Sequence, residues 1–245
     1  MNFFDRYAEK KWLSNACCFT TCSEQWVKNI SKATGIKGHL VLNGYEEELY
    51  TNDSNTKRDN TFTVTHNGTL YGFQPVEVFL NAFKKLIIEQ NITNIRLNFP
   101  GLGMDQEQVS RINNALKGFE AYYYISIRVP KTEIIQIQKA SDLLLMVGPN
   151  IKGHHSSKIF EYLGLKKPIF LCPTDHDVAE QLVLETNSGL IAHSPDEAYQ
   201  LLLDAYNQFI STQKIAYNGN NREIEKYSRK NQAQQLAIIF NSILQ

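Results

Sequence analysis

Long apolar runs, an excess of charge of either sign and a disulfide set are all missing from this sequence, and each absence removes a class of function. No stretch approaches the roughly 18 consecutive apolar residues of a membrane-spanning helix. The first residues, Met1 to Trp12, carry Asp5, Arg6, Glu9, Lys10 and Lys11 where a signal peptide would have its apolar core. A cytoplasmic protein is expected, with membrane contact limited to the periphery of the inner membrane. Lys plus Arg number 25 and Asp plus Glu also 25. With no basic run or aromatic-basic stripe, nucleic acid is not an expected partner. Four cysteines in 245 residues do not make a disulfide framework. Cys17, Cys18 and Cys22 fall in or beside an expected buried strand and read as core packing; no His or carboxylate pair is spaced to complete a zinc site with them, so no metal is expected.

What the chain does have is 42% hydrophobic residues, enough for a substantial core, arranged as strands alternating with helices across short connections. This pattern predicts an α/β fold with a doubly wound parallel sheet of Rossmann type. The first sixty residues read as a helix through Trp12, a strand Ala16 to Thr21, a helix capped by Ser23 and a strand His39 to Leu42. Glu46 to Asn60 is polar and without apolar period, which marks a linker. We therefore divide the chain at 1–60, a small α/β unit with linker, and 61–245, the main domain.

Within that domain Phe62, Val64 and His66 alternate as a strand, and Val76, Phe79, Leu80, Phe83 and Ile87 form one face of a helix begun near Pro75. Ile95, Leu97 and Phe99 make the second strand, Asp105 opens a helix with Val109, Ile112 and Leu116 inward, and Tyr122 to Val129 is the third strand. Thr132 is expected to cap the next helix, Leu143 to Val147 is an uninterrupted apolar strand, and Ser157 is expected to cap the helix that carries Glu161. Strands Ile169 to Cys172 and Leu190 to Ala192 follow, each with its helix, the last opened by Ser194-Pro195-Asp196-Glu197 as a capping box. Arg222 to Leu244 reads as one long helix packing across the linker toward the amino-terminal unit.

Ligands of such sheets bind beyond the carboxyl ends of the strands, and two loops there draw attention. The first, His66-Asn67-Gly68-Thr69-Leu70-Tyr71-Gly72, has glycines that allow close backbone approach but lacks the dinucleotide fingerprint. A plain tight turn and a phosphate loop both fit it. The second runs from Gly148 through His154 and His155 to Ser156-Ser157-Lys158. A helix start with two hydroxyls and a lysine suits a pyrophosphate, and Glu161, about one turn and 4 to 6 Å further along, can accept two hydrogen bonds from a ribose diol. As residues alone, Glu161 is equally a first-turn acid complementing the helix dipole.

The run Lys139-Ala140-Ser141-Asp142-Leu143-Leu144-Leu145, then Ser157-Lys158-Ile159-Phe160-Glu161-Tyr162-Leu163 and Lys167-Pro168-Ile169, resembles glycosyltransferase family 4 and its GT-B relatives. Thr21-Cys22-Ser23-Glu24 with Asn43-Gly44-Tyr45 resembles the end of that family's amino-terminal domain. Gly68-Thr69-Leu70-Tyr71 resembles the first loop of its carboxyl-terminal domain, and Thr186-Asn187-Ser188-Gly189 a late helix-strand junction. The resemblance implies a donor-binding domain of a GT-B glycosyltransferase of the hexosyl type, acting in cell-surface polysaccharide or glycan synthesis. Glu161 would hold the ribose, Ser156 to Lys158 the pyrophosphate, Gly68 and Thr69 the phosphates from the other side, and Val129 would border the base. The donor, linked to UDP or GDP, is a substrate, and no other cofactor is implied. Many members carry a second Glu eight positions before the ribose-binding one. Here that position is Gly153, with His154 and His155 next to it either as substitutes or as loop residues. The acceptor, a glycan or lipid-linked sugar, belongs to the amino-terminal half, of which the resemblance covers only the end, so the isolated chain is expected to bind donor without transferring sugar. A GT-B sugar-nucleotide epimerase and a noncatalytic binding module are the alternative readings.

Overall fold

The structure is a computed structural model that describes residues 7–8, 11–50, 60–149, 151–154 and 156–244. The small unit contains β1 (Cys18–Thr21), α1 (Glu24–Thr34) and β2 (Lys37–Leu40). Its strands pair in parallel, Cys18 opposite Lys37. Ser23 is extended and accepts from the Trp26 amide, as a cap should, and Gly35 closes the helix at φ 76°. No residue of α1 is buried. One thin helix therefore leaves β1 half-covered, which corrects the expected burial of its cysteines: Cys17 is exposed and Cys18 and Cys22 are intermediate, with only Cys172 buried. Trp12 and Trp26 stand 80% and 51% exposed, consistent with apolar faces that lack a partner among the described residues; Phe3 and Phe4 lie outside those residues.

The main domain follows as β3 (Phe62–Thr65), α2 (Glu77–Gln90), β4 (Ile95–Pro100), α3 (Gln106–Ala115), β5 (Tyr123–Ser126), α4 (Lys131–Ala140), β6 (Leu143–Met146), α5 (Lys158–Leu165), β7 (Ile169–Leu171), α6 (Val178–Thr186), β8 (Gly189–Ile191), α7 (Pro195–Thr212), α8 (Asn221–Glu225) and α9 (Arg229–Ile243). All six strands are parallel, in the order β5-β4-β3-β6-β7-β8. The central run Leu143 to Val147 is fully buried because its side chains alternate between two cores. Leu143, Leu145 and Val147 meet the apolar faces of α2 and α7, including Phe79, Leu80, Phe83 and Phe209. Leu144 and Met146 meet Ile135, Phe160, Leu163 and Val183 from α4, α5 and α6.

Several local expectations shift. The strand placed at His39 to Leu42 runs two residues earlier, and the third strand of the domain ends at Ser126, not Val129. Pro130, not Thr132, occupies the cap position of α4, at φ −57° and ψ 150°, and its fixed φ suits that entry. In the capping box Ser194 accepts from the Glu197 amide as expected, but the Glu197 carboxylate reaches the His193 amide at 2.8 Å.

The terminal helix is broken. Tyr45 forms a parallel bridge to Ser228, its amide donating to Tyr227 O at 3.1 Å and its carbonyl accepting from the Arg229 amide at 2.8 Å. A continuous helix needs that carbonyl and that amide for its own i to i+4 ladder, so pairing with the linker interrupts it, and Ser228 caps the new start by accepting from the Asn231 amide. The contact is made by Tyr45, just before the linker, packed against Gly164 and near Phe160 and Tyr227, and not by the apolar side of one long helix. Beyond that point α9 buries only Gln232, and Ile238 and Phe240 face solvent.

Gly44 is where this contact tolerates no side chain: an added Cβ would lie 2.7 Å from Tyr227 O and 3.0 Å from the Arg229 amide. Both neighbours are backbone, so they cannot rotate away. Gly44→Ala is expected to destabilise the fold by about 1–3 kcal/mol, read as a lower urea midpoint at unchanged slope.

Candidate functional site

Strand order reverses between β3 and β6. The connection leaving β3 runs to one side and that leaving β6 to the other, so a crevice opens at their carboxyl ends. Both loops picked out from the sequence are there.

The β3 loop is fixed from below. His66 is buried, and its Nδ1 lies 3.1 Å from the Leu145 carbonyl. A carbonyl only accepts, so Nδ1 carries the proton and Nε2 is a bare acceptor. Nε2 is buried and has no partner among the described residues. Burial, and then the nearby Lys158, push the His66 pKa down to about 3, leaving the ring neutral. Tyr162, fully buried on α5, accepts from the Asn67 amide at 3.1 Å and donates to the same Leu145 carbonyl at 3.4 Å. Gln74 ties the far end of the loop to β6 by donating to Val147 O at 2.7 Å while accepting from the Tyr71 amide at 2.9 Å. Gly68 then turns at φ 75°, its amide donating to Pro100 O, with Gly101 pressed against it at φ 86°. Positive φ at both positions is open to glycine and costly to other residues.

The β6 loop ends at the start of α5. Ser157 already has helical dihedrals, φ −62° and ψ −22°, and its hydroxyl makes no cap bond. This corrects the expected Ser157 cap, since side-chain capping needs an extended residue at that position. One consequence is that the amides of Ser156, Ser157 and Lys158 find no acceptor among the described residues, and Glu161 is the acid in the first turn that faces the partial positive charge of the helix start. Lys158 extends across the crevice and donates to the Thr69 carbonyl. An added Cβ on Gly68 would stand 3.6 Å from Lys158 Cε. Gly68, Thr69, Ser156, Ser157 and Lys158 are therefore brought to one place.

Glu161 sits one turn further on, half-buried. Among the described residues its carboxylate makes no hydrogen bond or ion pair, although Lys131, Lys158 and Arg229 all lie close enough to lower its pKa. Burial outweighs them and the net shift is upward. Lys158 is pushed down to about 8, by burial first, with Glu161 opposing. Glu46 bridges Lys131 and Arg229 at 3.2 and 3.4 Å, so two of the three cations near Glu161 already have a counter-charge.

The remaining residues fall elsewhere or apart. Val129 is half-buried, three residues past β5 and two before Lys131. His154 turns to the rim, its ring 5.7 Å from Phe73, which stacks on Tyr71. His155 lies outside the described residues. Gly153 stands at φ 72°, its amide donating to Asp177 at 2.6 Å and its carbonyl accepting from Ser23 Oγ at 2.9 Å. His66, Tyr162 and Gln74 were not singled out from the sequence. Only the polar identity of His66 at a strand's buried end was a signal for them.

No protein-family model and no curated protein matches this chain in sequence. Solved structures do match its fold. HepE of Anabaena, in complex with UDP and glucose, superimposes with a TM-score of 0.71 at 16% identity over 99% of this chain and 68% of its own. A glycosyltransferase from Rickettsia africae gives 0.73 at 12% identity over 97% and 67%. Sucrose-phosphate synthase from Thermosynechococcus elongatus gives 0.69 at 14% over 99% and 62%. The fold is that of these GT-B proteins, as the motifs led us to expect; family 4 in particular rests on the motifs alone.

His66 gives the site a measurable signature. Its folded pKa of about 3 lies below the ordinary value near 6.5, so below that pH the unfolded chain takes up a proton that the folded one refuses. Its contribution is complete above about pH 6.5 and is lost as pH falls toward the folded value, on the order of several kcal/mol at the limit. Urea midpoints between pH 7 and 4 should fall less steeply in His66→Gln than in the parent chain. Equal slopes would mean the ring is not held neutral.

Proposed function

We propose that this chain holds the donor of a glycosyltransferase, a sugar linked to UDP or GDP, at the crevice between β3 and β6. One observation carries the reading: a half-buried carboxylate, Glu161, with no hydrogen-bond or ion-pair partner among the described residues, stands one turn above a helix start that no side chain caps and that Lys158 flanks. About 4 to 6 Å separates successive turns of a helix, the distance between the diphosphate and the ribose hydroxyls of a nucleotide. The free amides of Ser156, Ser157 and Lys158 suit the pyrophosphate, with Gly68 and Thr69 facing it from the other loop. Phosphate oxygens would replace the Thr69 carbonyl as the partner of Lys158, and a charged partner makes the stronger bond. Val129 would border the base. The chain shares its fold with HepE, which was solved with UDP and glucose, and that likeness supports a nucleotide sugar as the ligand class.

In this reading the acceptor, a glycan or lipid-linked sugar, binds a surface other than these two loops, and the chain by itself binds donor without transferring it. Approach of the two substrates in one geometry is what drives such a transfer. A role in cell-surface glycan synthesis, with contact at the periphery of the membrane, belongs to the same proposal. No helix among the described residues is long and apolar enough to cross a membrane.

Calorimetry with UDP, GDP and ADP tests the site directly. Glu161→Gln should weaken binding of the preferred nucleotide by about 1–3 kcal/mol, about five- to 150-fold, because charge-assisted bonds to two hydroxyls are lost. A 2′,3′-dideoxy nucleotide should bind the parent chain weakly and be nearly indifferent to the substitution. Equal affinity of the ribonucleotide for both proteins would return Glu161 to the role of a helix-dipole residue.

A further inference from the structure

At the carboxyl ends of β7 and β8, away from Glu161, three side chains converge that the donor reading does not use. His176 Nδ1 lies 3.5 Å from Glu180 Oε2, and His193 Nε2 lies 3.6 Å from Glu180 Oε1. All three ligand-capable atoms fall within 4.8 Å of one another. Ligands held at about 2.0–2.2 Å around a tetrahedral zinc ion stand about 3.3–3.6 Å apart, and each histidine already stands about that far from one Glu180 oxygen, His176 from Oε2 and His193 from Oε1. We propose that His176, Glu180 and His193 form a binding site for a divalent transition metal of the zinc type.

The surroundings point the same way. Glu197 Oε2 lies 3.1 Å from His193 Nδ1 and also accepts from the His193 amide at 2.8 Å. A carboxylate there holds a proton on Nδ1 and directs Nε2 toward Glu180. A carboxylate behind a ligating histidine is the usual outer support of a metal. Glu180 is held in turn by the Thr174 hydroxyl, which donates to Oε2 at 2.5 Å. Thr174 Oγ1 also accepts from the His176 amide at 3.1 Å, and His176 itself sits at φ 49°, a left-handed conformation uncommon for a residue with a side chain. Two orienting groups and one strained backbone thus hold an exposed cluster whose fourth side is open to solvent.

A metal there would brace the turn between β7 and α6. That turn holds the donor loop at two points: the Gly148 amide donates to Pro173 O and the Gly153 amide to Asp177. The site stands on its own geometry and does not depend on what the crevice binds.

The test is titration of the metal-free, tag-free chain with Zn2+ by calorimetry and with Co2+ by visible absorption, which reports ligand geometry. One equivalent should bind, with tetrahedral Co2+ bands. His193→Ala and His176→Ala, at exposed positions, should unfold at the same temperature as the metal-free parent and lose the site. Glu197→Gln should keep the stoichiometry and weaken binding about 10- to 100-fold. Replacing Cys17, Cys18 and Cys22 with Ser should change nothing. The proposal fails if no Zn2+ binds, if binding survives in the His176→Ala/His193→Ala double variant, or if it disappears with the cysteines.

Discussion

The Leu145 carbonyl is the joint on which the crevice depends. It receives the His66 ring from β3 and the Tyr162 hydroxyl from α5 at 3.1 and 3.4 Å, while the same hydroxyl accepts the Asn67 amide. One backbone oxygen in the central strand thereby sets the β3 loop and the α5 helix relative to each other. Buried polar groups must be paired to be tolerated, so this arrangement is determined: moving either element strands a hydroxyl, an amide or an imidazole proton without water. The cost appears at His66, whose Nε2 stays buried without a well-formed hydrogen bond among the described residues. The shape of the crevice is thereby set by the fold itself.

Much of the domain was legible because its elements satisfy their own local rules. The alternation of Leu143 to Val147 between two cores, the apolar face from Val76 to Ile87 and the caps at Ser23, Asp105 and Ser194 need only short-range chemistry, and each stands where it was read. Two of the failures trace to what lies distant in sequence. The long terminal helix is interrupted at Tyr227 and Ser228 by Tyr45, more than 180 positions away. The run from Arg222 to Leu244 carries only a faint sign of that competition: no large apolar residue falls between Tyr227 and Leu236, and Ser228, a capping residue type, stands at the break. The burial of β1 depends on what covers its sheet, and α1 covers little of it.

For the candidate site, the residue types were legible and the joint was not. Gly68, Lys158 and Glu161 announce themselves by position after strands, whereas Tyr162 reads as one more apolar residue of an amphipathic helix. Its hydroxyl matters only because α5 packs with that face on β6. Ser157 was misread for the opposite reason. Ser at a helix start is a strong capping signal, but the loop delivers the residue already in helical conformation. The amides that a cap would satisfy are left open, and the sequence feature that misled about structure is the one that favours an anion.

Gly153 shows how a departure from a family pattern can be forced by packing. The position eight before Glu161 carries a second acid in many GT-B sequences, and a side chain here would have to form at φ 72° with its Cβ 2.7 Å from Gln25 Cβ. The amide and carbonyl of Gly153 are both committed, one to Asp177 and one to Ser23. The residue therefore acts as a hinge pin between the small unit and the turn after β7, and its lack of a side chain is what lets α1 approach. An acid restored at this position would have to displace α1 before it could reach a sugar, because the obstacle is Cβ itself and no rotamer of a longer side chain moves that atom. His154, whose ring packs on Phe73 at the rim, stands on the wall of the crevice and does not take the place of the missing acid.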